Sequence, residues 1–351
     1  MSNGKYKLIF SLDYEIHGNG DGSPYELMVE PTYRLMNLLE KYGQKLTIMA
    51  DVAEILKFGE YYKNTGEDRF SYNSIKQQLC NAIQRGHDVQ LHIHSSYFKS
   101  TYTGYKWEQN WEEYNMAALP ERRVNEMITM SKTFLEELLK PVDKNYSCFV
   151  FRAANWSMMP THNIYSSLVN NGIKIDTSVY KGGIQRGNVN YDYSTAKSCI
   201  MPYSASIEDI NKEDFNGELK EFPIYTEMRY FYSFISFMRI FRMLRAKFHR
   251  HSKSHASVAI RNQKDPKRLS IRSFFVKSPW KLDFNQATGL QLKNALRRIR
   301  NSFQIKEDNI PVVLIGHSKT FIRHNEKTLE NFLEWLVTQD EFKSGKYADF
   351  L

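Results

Sequence analysis

Six short apolar runs punctuate this chain, and each closes on a polar or charged residue. Leu8-Ile9-Phe10 leads to Asp13 and Glu15, Leu46 to Ala50 leads to Asp51, and Val89 to Ile93 carries His92 and ends at His94. Phe149-Val150-Phe151 leads to Arg152, Ile173-Lys174-Ile175 to Asp176, and Val312 to Ile315 to His317. Between them lie stretches of helical period, the clearest at 123–139, where Val124, Met127, Ile128, Phe134, Leu135 and Leu138 form an apolar stripe. Strand then helix, repeated, is the pattern of an α/β fold with a parallel sheet, and polar residues at strand ends put a site at the C-terminal mouth. A parallel barrel and an open doubly wound sheet both obey this rule.

A strand sends alternate side chains to opposite faces. In Val89-Gln90-Leu91-His92-Ile93-His94 the two imidazoles therefore share a face with Gln90, while the aliphatic residues pack on the other. A lone histidine at a strand end is more often a hydrogen-bonded structural residue. Two on one polar face have no packing purpose, and burying both unpaired costs free energy. The same count puts Asp13 beside Glu15, and it brings Arg152 and His317 out at their strand ends. Two carboxylates and two imidazoles are the materials of a divalent-metal site with a base next to it. His87, off the inward face and next to the helix-stopping Gly86, reads as structural.

The 351 residues suffice for one large domain, here taken as 1–351 with an insertion at about 228–290 that breaks the strand-helix rhythm. Three widely spaced cysteines, Cys80, Cys148 and Cys199, point to a reducing compartment. The first strand begins by Tyr6, which leaves no space for a signal peptide, so a cytoplasmic location is expected. The net charge of +9 favours an anionic partner, but no nucleic-acid module is recognisable and nucleic acid is not expected. Within the insertion, Arg229 to Arg245 mixes large apolar and aromatic residues with cations, a composition suited to the anionic surface of the inner membrane. Its polar positions recur every third residue and leave no clean two-faced helix, which favours packing on the barrel or in a dimer. The sequence leaves the oligomeric state undetermined.

Five stretches in order resemble the polysaccharide deacetylases of the NodB-like family, carbohydrate esterase family 4. Phe10-Ser11-Leu12-Asp13-Tyr14-Glu15 is similar to the first family motif and Gly86 to His94 to the second. Phe151-Arg152-Ala153-Ala154-Asn155-Trp156 resembles the Arg motif, Ile175-Asp176-Thr177-Ser178-Val179 the Asp motif, and Leu314-Ile315-Gly316-His317-Ser318 the final His motif. The resemblance implies an incomplete parallel (β/α) barrel and a metal-dependent hydrolase that removes an N-acetyl group from a sugar in a cell-surface polysaccharide precursor. It implies a divalent metal, commonly zinc, held by Glu15, His92 and His94, with Asp13 as base. Arg152 would grip Asp13 in a bidentate contact, and His317, oriented by Asp176, would protonate the leaving amine. Two departures stand out: the usual adjacent carboxylates are here Asp13 and Glu15, so that the roles of base and ligand could be exchanged between them, and Ser96 takes the place of the second metal histidine, leaving His94 to substitute for it. The rival readings are hydrolysis of a non-sugar carbon-nitrogen bond and a glycan-binding pseudoenzyme.

Overall fold

The computed structural model describes residues 5–230, 276–303 and 309–351. The central element is β1 (Tyr6–Tyr14), which pairs in parallel with β2 (Leu46–Asp51). The sheet continues through β3 (Asp88–Ile93), β4 (Val150–Ala153) and β5 (Ile175–Asp176), all parallel. Beyond β5 it is extended by two-residue strands, first β7 (Lys220–Glu221) and then the antiparallel β6 (Tyr203–Ser204). On the other side of β1 lies β10 (Ile310–His317). The sheet curls until single bridges, Ile224 to Val313 and Asp283 to Ile315, stand in for the missing ladder. The result is the expected incomplete parallel barrel.

Helices wrap the outside: α1 (Glu30–Lys41), α2 (Val52–Thr65), α3 (Tyr72–Gln84), α4 (Glu121–Leu139), α5 (Thr161–Asn170), α6 (Gly289–Ser302) and α7 (Arg323–Leu336). In α4 the buried residues Val124, Met127, Ile128, Ser131, Leu135 and Leu139 recur at three and four, so one stripe faces the sheet. Each fully buried aliphatic side chain of such a stripe contributes roughly 1.5–3 kcal/mol. The helix α3 stops where Gly86 takes φ 78°, a conformation that costs glycine little, and the turn delivers the chain into β3.

Strand alternation sorts the residues into two cores. Leu8, Phe10, Leu12 and Tyr14 of β1 and Val89, Leu91 and Ile93 of β3 pack outward on the helices. Ile9, Met49, Val150, Ile175, Phe222, Ile224, Val313 and Ile315 fill the barrel interior, with Tyr347 from the C-terminal turn. Polar residues of the same inward parity continue above this apolar floor: Ser11 and Asp13, Asp51, Gln90 and His92, Arg152, and His317.

The insertion is bounded by a ribbon of β8 (Thr226–Tyr230) and β9 (Lys277–Lys281). Leu282 to Phe284 run beside the barrel sheet, bonding Tyr225 and Ile315. The cationic aromatic run from 231 onward lies outside the described residues. Among those described, no helix is long and apolar enough to cross a membrane.

Candidate metal and catalytic site

At the mouth of the barrel a cavity of about 160 Å³ is lined by Asp13, Glu15, His92, His94, Trp156, His317 and Lys319, among others. Register explains the gathering. Asp13 lies opposite His317 across β1 and β10, and His92 lies between Asp51 and Arg152 across β2, β3 and β4. Tyr14, between the two carboxylates in sequence, points away and donates to Gln78 at 2.7 Å.

Arg152 is fully buried, and its donors are divided: Nη1 to Asp13 Oδ1 at 2.7 Å, Nη2 to Ser11 Oγ at 2.7 Å and Nε to the Thr177 carbonyl at 3.0 Å. The expected bidentate grip is therefore a single contact, because Ser11, one inward position below Asp13, takes the second arm. Oδ2 of Asp13 faces His317 Nε2 at 3.5 Å. Burial alone would raise the Asp13 pKa, but Arg152, then His317 and His92, bring it below the ordinary value.

Glu15 is shared differently. Lys319 Nζ donates to its Oε1 at 2.6 Å, while Oε2 is buried without a hydrogen-bond partner, 3.4 Å from His92 Nε2 and 3.2 Å from His94 Nδ1. Burial pushes this carboxyl up, yet Lys319, His94 and His92 hold it well below the usual range. His92 Nδ1 stands 2.8 Å from the Arg152 carbonyl, which can only accept, so Nδ1 carries a proton and, in the neutral ring, Nε2 has the lone pair. In His94 the same nitrogen, Nδ1, stands 2.7 Å from Asp51 Oδ2 and 3.2 Å from Glu15 Oε2. His92, with one nitrogen tied to an acceptor and the other turned to Glu15, is arranged as metal-binding histidines are. One orphaned carboxylate oxygen and two imidazoles, with ligand atoms within 4.8 Å of one another, fit a divalent cation with an N₂O donor set.

Asp176 does not orient His317. Its side chain accepts from Ser178 Oγ at 2.6 Å and lies beside Glu221, its parallel neighbour. Alternation gives the reason: Ile175 occupies the barrel interior, so Asp176 takes the opposite face. The carboxylates near His317 are Asp13 and Glu15, the latter at 4.0 Å. Ser96 is turned away as well, donating to Gln109 at 2.7 Å. His87 is structural: Nδ1 accepts from Leu46 N at 3.0 Å and Nε2 meets Glu40. Lys319 and Asp51 enter the site without having been singled out from the sequence. Asn155 and Trp156, at φ 53° and 63°, form a left-handed corner after β4, a conformation that costs non-glycine residues roughly 1–2 kcal/mol each. The corner stands the Trp156 ring edge-on to His317, with centroids 5.9 Å apart.

No protein-family model and no curated protein matches the sequence. Solved structures do. A Mycobacterium smegmatis chain classed as a polysaccharide deacetylase superposes with a TM-score of 0.51 at 12% identity, over 99% of this chain and 89% of its own. A Parabacteroides distasonis chain classed as a glycoside hydrolase/deacetylase gives 0.52 at 11% identity, over 96% and 67%. The fold is that of the NodB-like polysaccharide deacetylases. A 4-alpha-glucanotransferase from Thermococcus litoralis also matches, with a TM-score of 0.51 at 14% identity over 99% of this chain and 40% of the enzyme. The NodB-like barrel thus resembles scaffolds described with different chemistries, and the reaction has to be argued from the side chains at its mouth.

Proposed function

We propose that this chain is a metal-dependent hydrolase that removes an N-acetyl group from a sugar of a cell-surface polysaccharide precursor. The observation that carries the reading is the pairing of Asp13, held on one oxygen by Arg152, with an orphaned Glu15 oxygen flanked by His92 and His94. Glu15, His92 and His94 would hold the ion, and Asp51 would steady the His94 ring. Zinc or a similar cation, when bound, would supply there a Lewis acid for the acyl carbonyl and would lower the pKa of a water molecule. Asp13 is the base that takes a proton from a water molecule through Oδ2, while Arg152 keeps the carboxylate ionised and fixed. His317, facing Asp13 at 3.5 Å, delivers a proton to the departing amine, which as an anion would be a very poor leaving group. Trp156 walls the cavity beside His317, its ring edge-on to the imidazole. The three free thiols agree with work in a reducing compartment such as the cytoplasm.

One observation favours a second reading, a glycan-binding protein without metal: Lys319 already neutralises half of Glu15. Elemental analysis of the purified protein, together with acetate release from N-acetylated sugars, separates the two. The hydrolase reading expects about one divalent ion per chain, lost in His92→Ala and in His94→Ala, and acetate release that follows the ion. Sugar binding with neither metal nor acetate would establish the second reading instead.

A further inference from the structure

Trp156, Asn155 and Tyr114 line a second space as well, a groove of about 1810 Å³ between the loop 180–199 and the β8–β9 ribbon. Pockets for a drug-sized ligand measure roughly 300–1,000 Å³, so this groove has space for more than one sugar unit. Its charged lining residues among those described are Lys181, Arg186, Lys277 and Lys281; no carboxylate lines it. Arg186 is engaged by Asp192 at 3.0 Å. Lys281 is held otherwise: its Nζ rests 4.2 Å from the Trp156 ring centroid and 4.3 Å from that of Tyr180, and it forms no ion pair among the described residues.

Those two rings meet at 82° and form a notch around the ammonium. Ring faces attract a cation but do not replace the hydrogen bonds it loses on leaving water. The cost is visible in Lys281, whose pKa is brought down to about 8, mainly by burial. An anion entering the groove would meet an ammonium with donors to spare, seated on the same Trp156 ring that stands against His317.

We infer that the substrate is an acidic N-acylated glycan whose phosphate or carboxylate group pairs with Lys281, while the groove beyond, with Lys181, takes the rest of the chain. This names a substrate class for the site above and rests on the deacetylase reading.

The test is equilibrium binding of three probes to the full-length protein as purified: N-acetylglucosamine, N-acetylglucosamine 1-phosphate and an N-acetylated uronic-acid tetrasaccharide. At least one acidic probe should bind roughly tenfold or more tightly than the neutral sugar, as expected for a hydrogen bond to a charged group. Which one does so distinguishes phosphate from carboxylate. Lys281→Met should erase most of that preference, and Lys281→Arg should restore part of it; melting curves matched to wild type establish that both variants fold. Equal affinity for neutral and acidic probes, or a preference that survives Lys281→Met, overturns the inference. Acetate release on the same probes keeps the two ideas apart. Release from the neutral sugar without any acidic preference removes the anion site alone, whereas Lys281-dependent binding without release keeps that site and removes the deacetylase.

Discussion

The two oxygens of Asp13 have different neighbours, and so do the two of Glu15. Arg152 holds Asp13 Oδ1 and leaves Oδ2 toward His317; Lys319 holds Glu15 Oε1 and leaves Oε2 between two imidazoles. The structure thus separates by environment two carboxylates that the motif comparison leaves exchangeable. Asp13→Asn should keep the bound ion and lose about 10²- to 10⁴-fold in turnover, the usual range for a general base. Glu15→Gln should instead lose metal on dialysis. Metal content and rate measured side by side decide, and the reverse pattern would exchange the two roles. Parity explains why most of these residues were legible: Asp13, Glu15, His92, His94, Arg152 and His317 all follow from counting in twos along apolar runs. Asp51 was not, because its partnership with His94 depends on the register of β2 against β3. Lys319 lies beyond the end of β10 and reaches back by its own length. Asp176 misled because β5 is two residues long, too short for a pattern to show which of Ile175 and Asp176 faces in.

At the level of elements, the turn from α3 into β3 carries a testable pH dependence. His87 is 2% exposed, accepts from the Leu46 N–H and faces Glu40, Arg85 and Lys45. Burial, with Lys45 and Arg85 adding and Glu40 opposing, lowers its pKa to about 4 from an ordinary 6.5. Between those values the unfolded chain binds the proton and the folded chain does not, so stability rises with pH across the window. The contribution is complete above about pH 6.5 and is lost as pH falls to about 4, by up to roughly 3 kcal/mol. Urea unfolding at pH 7 and at pH 4.5 should therefore show a larger drop for the wild type than for His87→Gln. Parallel drops would mean that the imidazole is not the sensitive group. Helix and strand identities were readable from period and from stops such as Gly86. The closing of the sheet was not, since it depends on isolated bridges, one from Ile224 in the short strand-like run 221–225 and one from Asp283 inside the stretch taken as an insertion.

For the molecule as a whole, the apolar barrel floor and helix layer contain none of the candidate ligands, which sit above them. Chelation should leave far-UV circular dichroism unchanged and lower the melting temperature by a few degrees. Ligand at a hundredfold its dissociation constant stabilises by about 2.7 kcal/mol, which corresponds to shifts of that order in a chain of this size. Identical melting with chelator and with added zinc would argue that no ion binds. The same architecture also sets what the chain can tolerate in its history. Every site residue on a strand shares its inward face with the floor below it, so adding or removing one residue within β1, β3, β4 or β10 would exchange chemistry for packing along that whole strand. Length can drift in the connections, including the stretch between β8 and β9, but strand length is effectively a parity bit, and a single frameless edit there would leave a folded sheet with its reactive groups pressed into the helices.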